Sequence, residues 1–202
     1  MTIVIGLTGS IASGKSTIAR IISEWDIPII DADVISREVV EAGEEAYQEI
    51  VRVFGENVLQ SDQSLDRKKL GQVIFKDAAK REQLNKIVHP AVRKKMLRQR
   101  DNYVEAGESA VVLDIPLLFE SKLTHLVDKV LVVFVNEQTQ LKRLMGRNNF
   151  TREEAEDRIS SQISMEDKAA MADKVINNNG TIEESKRQLE SILEEWHVKK
   201  SG

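Results

Sequence analysis

Residues 3–17 read IVIGLTGSIASGKST: a short apolar run, a loop bounded by glycines, and the opening of an amphipathic segment. Ile3, Val4, Ile5 and Leu7 alternate little with polar residues, as expected of a strand buried on both faces of a parallel sheet. Gly9, Gly14, Lys15 and Ser16 match G-x-x-x-x-G-K-[ST] without a mismatch. Ile18, Ile21, Ile22 and Trp25 then fall at i, i+3, i+4, i+7 and predict a helix that starts at the loop.

Each residue type has a physical task at its place. Gly9 and Gly14 let the backbone wrap a phosphate, so that N–H groups along Ser10, Ile11, Ala12, Ser13 and on to Thr17 can point at its oxygens. The helix that follows adds the positive end of its dipole. Lys15 offers a mobile charge to the β- and γ-phosphates of a nucleotide, and Ser16 a hydroxyl to Mg²⁺, which prefers hard oxygen ligands. A glycine-rich turn that binds nothing is the alternative, but four fixed positions match by chance in about 1% of chains this long.

With 202 residues, 41% apolar and 31% charged, the chain is long enough for a full core and fits one domain with insertions. A net charge of -4 gives no broad attraction to nucleic acid or anionic lipid, so neither is an expected partner. The absence of cysteine removes disulfides, thiolate nucleophiles and Cys-based metal sites. His89, His125 and His197 are too scattered for a metal cluster. No leader or membrane-spanning run is visible, and a cytoplasmic protein is expected.

A second apolar strand at 27–30 runs into Asp31-Ala32-Asp33, carboxylates at the strand's carboxyl end where parallel sheets bind ligands. One of the pair is expected to cap the next helix, leaving Asp33 for chemistry. Residues 34–108 read as a helical insertion. Tyr47, Ile50, Val51 and Phe54 form one stripe ended by Gly55; Asp66 caps a helix over 67–75; Asp77 caps another with Leu84, Ile87 and Val88 inward. His89-Pro90 is expected to break that helix, with a separate basic helix over 91–103 whose charges form a solvated face. Arg67 and His89, at helix ends, are site candidates; for His89 a core or capping role stands equally open.

Residues 110–113 form a third strand delivering Asp114, which suits the Mg²⁺ shell of a P-loop site, although many strands end in Asp for turn reasons. A fourth strand at 129–135 leads through Asn136 into a helix bearing Leu141, Leu144 and Met145. The polar, arginine-bearing region 143–173 has the make-up of a lid, with a capping box at Thr151 and Glu154. Arg143 and Arg147 share one helix face. A fifth strand at 174–177 precedes the Asn177, Asn178, Asn179 and Gly180 loop, and a second capping box, Thr181 with Glu184, opens a closing helix. The class is therefore α/β with a five-stranded parallel sheet and right-handed crossovers.

No guanine-reading N-K-x-D follows the fourth strand, where Asn136-Glu137-Gln138-Thr139 stands, so a small-molecule kinase is favoured over a GTPase switch. A kinase for another hydroxyl acceptor and a non-catalytic nucleotide sensor remain alternatives.

The blocks GLTGSIASGKST at 6–17, DAD at 31–33, LDR with VIF across 65–75, HP at 89–90, DIPLLFE at 114–120 and AD-x-VINN-x-G at 172–180 resemble the bacterial dephospho-coenzyme A kinases, in that family's order and along essentially the whole chain. The family usually has glycine where this chain has Ser10 and Ala12. The resemblance implies a three-layer P-loop kinase fold: a core of 1–33, 109–142 and 171–202, a helical acceptor domain at 34–108, and a lid at 143–170. It implies ATP and Mg²⁺, and dephospho-CoA as the small-molecule acceptor of a monomer or weak homo-oligomer. Asp33, Lys15, Arg143 and Arg147 would be catalytic. Residues 9–17 with Asn177, Asn178 and Gly180 would hold the nucleotide, and Ser16 and Asp114 the metal. Thr8, Asp31, Asp33, Arg67, His89, Pro90, Leu117 and Leu118 would meet the acceptor.

Overall fold

The structure, a computed structural model, describes residues 2–75 and 77–199; Met1, Lys76 and 200–202, among them the outermost residues of the expected core segments, lie outside the described residues. The chain divides into two units, residues 1–30 with 102–202, and residues 31–101.

In the first unit the apolar runs become strands. β1 (Ile3–Gly9), β2 (Ile29–Asp31), β3 (Ala110–Asp114), β4 (Lys129–Phe134) and β5 (Lys174–Asn177) form a five-stranded sheet ordered β2-β3-β1-β4-β5. β1 pairs in parallel with β3 and β4, and β4 with β5. β1 is therefore central, and every residue from Val4 to Gly9 is buried. Ile5, Leu7, Val112, Leu131, Val133 and Ile176 pack under α1 (Lys15–Glu24) through Ile18, Ile21 and Ile22. The last helix of the chain adds Leu189, Ile192 and Leu193 to the same core.

The second unit holds α2 (Ala32–Glu38), α3 (Glu45–Phe54), α4 (Arg67–Phe75) and most of α5 (Ala78–Glu105). Its core gathers Ile50, Val58, Leu59, Leu65 and Leu70, with Leu84, Ile87 and Val88 packed against it. Asp66 and Asp77 cap as expected: Asp66 Oδ1 accepts from Lys69 N at 3.0 Å, and Asp77 Oδ1 from Ala79 N at 3.0 Å.

One expectation fails here. His89-Pro90 does not break a helix; α5 runs through Pro90 without interruption, and the basic stretch is its second half. The ring removes the N–H that would bond Lys86 O, yet Lys86, His89 and Pro90 are all exposed, so water can take up that carbonyl. Leu84, Ile87, Val88 and Ala91 also keep one inward stripe across the proline, and that packing overrides the local preference.

Back in the first unit, α6 (Glu137–Asn148), α7 (Arg152–Ser160), α8 (Met165–Ala170) and α9 (Ile182–Glu195) complete the helices. α6 continues unbroken past residue 143, where the lid was expected to start. Both capping boxes are present, at Thr151 with Glu154 and at Thr181 with Glu184.

Two outcomes are expected. Pro90→Ala should raise the urea midpoint, recovering part of the roughly 3 kcal/mol that proline costs inside a helix. The Glu184 carboxyl is held below its ordinary 4.5, first by the Thr181 N–H and then by the Thr181 hydroxyl. A lowered folded value adds stability that is present above the ordinary value and lost as pH falls through the lowered one. Melting curves of Glu184→Gln should therefore lie below wild type at pH 7 and converge with it as the pH falls below the ordinary 4.5 and through the lowered value.

Candidate active site

The loop between β1 and α1 departs from ordinary backbone twice. Gly14, the residue before the helix, has φ 88°, and Ala12 has φ 62°, both in the left-handed region. Ser13 N donates to Ser10 O at 3.1 Å and Thr17 N to Gly14 O at 3.0 Å. The N–H groups of Gly14, Lys15 and Ser16 have no protein acceptor among the described residues. They are the orphan donors of a helix start and can receive an anion.

Neighbouring strands supply the rest. The β1–β3 register sets Leu7 opposite Asp114, so that carboxylate stands beside the end of β1 where the loop begins. Lys15 Nζ pairs with Asp114 Oδ1, and the Asp114 side chain is 4% exposed. The Ser16 side chain is exposed, and Thr8, fully buried, donates its hydroxyl to Pro116 O at 3.0 Å.

Asn178, just after β5, ties the loop from the other side. Its Nδ2 donates to Ser13 O at 2.8 Å, and its Oδ1 accepts from Ser185 Oγ at 2.8 Å. A Cβ on Gly14 would stand 2.2 Å from that Nδ2, so glycine is required for space as well as for its φ. Arg143 on α6 donates to Asn178 O at 2.9 Å, which brings its guanidinium to the loop. Arg147, one turn on, is exposed and bonded to Asn148 Oδ1 at 2.9 Å. Asn177 is stitched to α9 through Gln188, and its side chain bonds Asn179. A Cβ on Gly180 would lie 2.0 Å from Glu184 Oε2, the capping-box carboxylate.

A polar network backs the loop. Gln140 Nε2 donates to Ile11 O at 2.9 Å, and Ile11 N donates to Gln162 Oε1 at 2.9 Å. Ser10 Oγ donates to Ile163 O at 3.4 Å, while Ile163 N donates to Glu120 Oε1 at 3.2 Å. The same Glu120 oxygen lies 2.8 Å from Nζ of Lys168, which is fully buried; this is an ion pair without the alignment of a hydrogen bond.

The second unit carries the remaining expected residues. Asp31 is the cap of α2, its Oδ1 accepting from Asp33 N at 2.7 Å and Val34 N at 3.1 Å. Asp33 stands exposed in the first turn, its carboxylate without a partner among the described residues. Arg67 is exposed at the start of α4 and reaches Arg37 O at 3.5 Å; His89 and Pro90 are exposed in the middle of α5, not at a helix end.

The dephospho-CoA kinase family model matches residues 3–184. The chain belongs to the dephospho-CoA kinase family. A dephospho-CoA kinase from Bacillus cereus is 63% identical, with 98% of this chain and 99% of that protein aligned. A crystal structure from Thermus thermophilus aligns at TM-score 0.80 and 31% identity, covering 96% of this chain and 97% of that one. A dephospho-CoA kinase from Campylobacter jejuni aligns at TM-score 0.70 and 28% identity, with the same coverage.

Within this member of the dephospho-CoA kinase family, the two leucines expected to meet the acceptor differ in exposure. Leu118 is fully buried, and a Cβ on Gly6 would lie 3.0 Å from its Cδ2, while Leu117 is 42% exposed. Gln140, Gln162, Glu120 and Lys168 were not anticipated. Gln140 had a signal, since it lies four residues before Leu144 on the buried face of α6. Lys168 had none in its polar surroundings.

Removing one member of a buried ion pair strands the other charge, so Glu120→Ala should cost about 3–5 kcal/mol in urea unfolding. Glu120→Leu combined with Lys168→Met should recover most of that loss.

Proposed function

We infer that this chain transfers the γ-phosphoryl group of ATP to the ribose 3′-hydroxyl of dephospho-CoA, giving coenzyme A and ADP in the final step of coenzyme A synthesis. The observation that carries this reading is the intact phosphate loop of a dephospho-CoA kinase family member, with orphan N–H donors at Gly14, Lys15 and Ser16 beside the Lys15–Asp114 pair.

The residue roles follow from what each group can do. The loop of residues 9–17 holds the triphosphate, with the N–H groups of Gly14, Lys15 and Ser16 as its donors, and Lys15 exchanges Asp114 for β- and γ-phosphate oxygens as the nucleotide enters. Asp114 and Ser16 supply the carboxylate and hydroxyl that Mg²⁺ takes. Among the described residues no cluster of three or more His, Cys, Asp or Glu forms an all-protein cage, which suits an ion that keeps waters and phosphate oxygens. Once bound, that ion neutralises charge on the phosphates.

Because phosphoryl transfer is largely dissociative, Asp33 acts mainly by orienting the acceptor hydroxyl and takes its proton late. Its carboxylate, exposed and without a partner among the described residues, supports that role. Arg143 and Arg147 offset negative charge as it moves toward the leaving oxygen. Asn177, Asn178 and Gly180 form the nucleotide side, and Thr8, Asp31, Arg67, His89, Pro90, Leu117 and Leu118 the acceptor side. The organisation is a core at 1–33, 109–142 and 171–202, an acceptor domain at 34–108 and a lid at 143–170. No helix among the described residues is long and apolar enough to cross a membrane. We assign the enzyme to the cytoplasm, as a monomer or weak homo-oligomer without a nucleic-acid partner.

Incubation with Mg-ATP and dephospho-CoA should yield coenzyme A by mass. Asp33→Asn should bind ATP normally and lose turnover by about 10²–10⁴-fold, whereas Lys15→Ala should impair both. Turnover retained by the asparagine variant at saturating substrates would remove Asp33 from the catalytic role.

A further inference from the structure

We propose that Gln140 and Gln162 are positioning residues for the phosphate loop, gripping Ile11 from both sides so that Ala12 stays in the left-handed conformation in which the loop presents its N–H groups. The proposal rests on the ATP-binding reading above and assigns residues outside the phosphate loop to it.

A residue with a Cβ is strained in the left-handed region, and such strain persists only where surrounding contacts hold it. Ala12, at φ 62°, carries that strain, and the contacts fall on the residue directly before it. Gln140 Nε2 donates to Ile11 O and Gln162 Oε1 accepts from Ile11 N, each at 2.9 Å. The main chain dictates which end of each carboxamide faces it, since an N–H needs an acceptor and a carbonyl needs a donor. Fixing both polar groups of Ile11 fixes the two peptide planes that flank it, and the second of these planes leads into Ala12.

Gln140 is 2% exposed, where an unmade hydrogen bond would leave a desolvated polar group. Gln162 sits between α7 and α8, beside Ile163, which is bonded to Ser10 on one side and Glu120 on the other.

Calorimetric titration of Mg-ATP into the full chain tests the proposal, with melting temperature as the check on folding. Gln140→Ala and Gln162→Ala should each weaken ATP binding at least fivefold while changing KM for dephospho-CoA less than twofold. Gln140→Glu, which cannot donate to the Ile11 carbonyl, should do no better than the alanine variant. Ala12→Gly, which relieves the strain, should restore at least half of the lost affinity on a logarithmic scale in either background. If Gln140→Ala proves unfolded, Gln162→Ala decides alone. ATP affinity within twofold of wild type, a parallel rise in both constants, or no recovery with Ala12→Gly would overturn the proposal. Wild-type protein that binds ATP and makes no coenzyme A would instead overturn the proposed reaction and leave this inference to the binding data.

Discussion

Between Gly9 and Ser16 the backbone does something that costs free energy: it turns through two left-handed residues and leaves N–H groups without protein acceptors among the described residues. Neither feature would persist in an isolated peptide, where water and extended conformations are available. Much of the first unit can be understood as the means of holding that stretch. β1 lies in the middle of the sheet with a parallel partner on either side, and α1 is anchored beneath by Ile18, Ile21 and Ile22. The Asn178 carboxamide fixes Ser13 from the end of β5, and its close approach excludes any side chain at position 14.

The charges are arranged on the same logic. Asp114 is almost wholly buried, and a lone carboxylate there would be expensive; Lys15 compensates it while remaining on a flexible stem. The bond between them keeps each group satisfied, and on the proposed function it would be exchanged for a polyanion and its cation. Glu120 and Lys168 repeat the device away from the loop, where no exchange of partners is called for, and there it secures the segment between α7 and α8.

Much of the fold was legible in the sequence because the signals were local and strong. The apolar runs at 3–7, 110–113 and 129–135 have no helical reading, and both capping boxes announce their helices within four residues. Pro90 misled because its rule is local too, while the stripe through Leu84, Ile87 and Val88 that carries α5 past it is a tertiary matter. In the candidate site, Gly9, Gly14 and Lys15 stand out by their spacing, and Asp114 by its place at the carboxyl end of an apolar strand. The Gln140 and Gln162 contacts with Ile11 span 129 and 151 residues along the chain, and no periodicity reports a pairing of that range. The DIPLLFE motif names Leu117 and Leu118 alike, but their different exposure, Leu118 lying against Gly6, is a tertiary matter that the motif does not report.

Arg143 meets a main-chain carbonyl and, among the described residues, no carboxylate. A carbonyl orients the guanidinium without cancelling its charge, so its full field is available to a triphosphate arriving from solution. Such attraction reaches only as far as counterions permit, about 10 Å at 0.1 M salt. On the proposed function, capture of nucleotide should therefore slow as ionic strength rises.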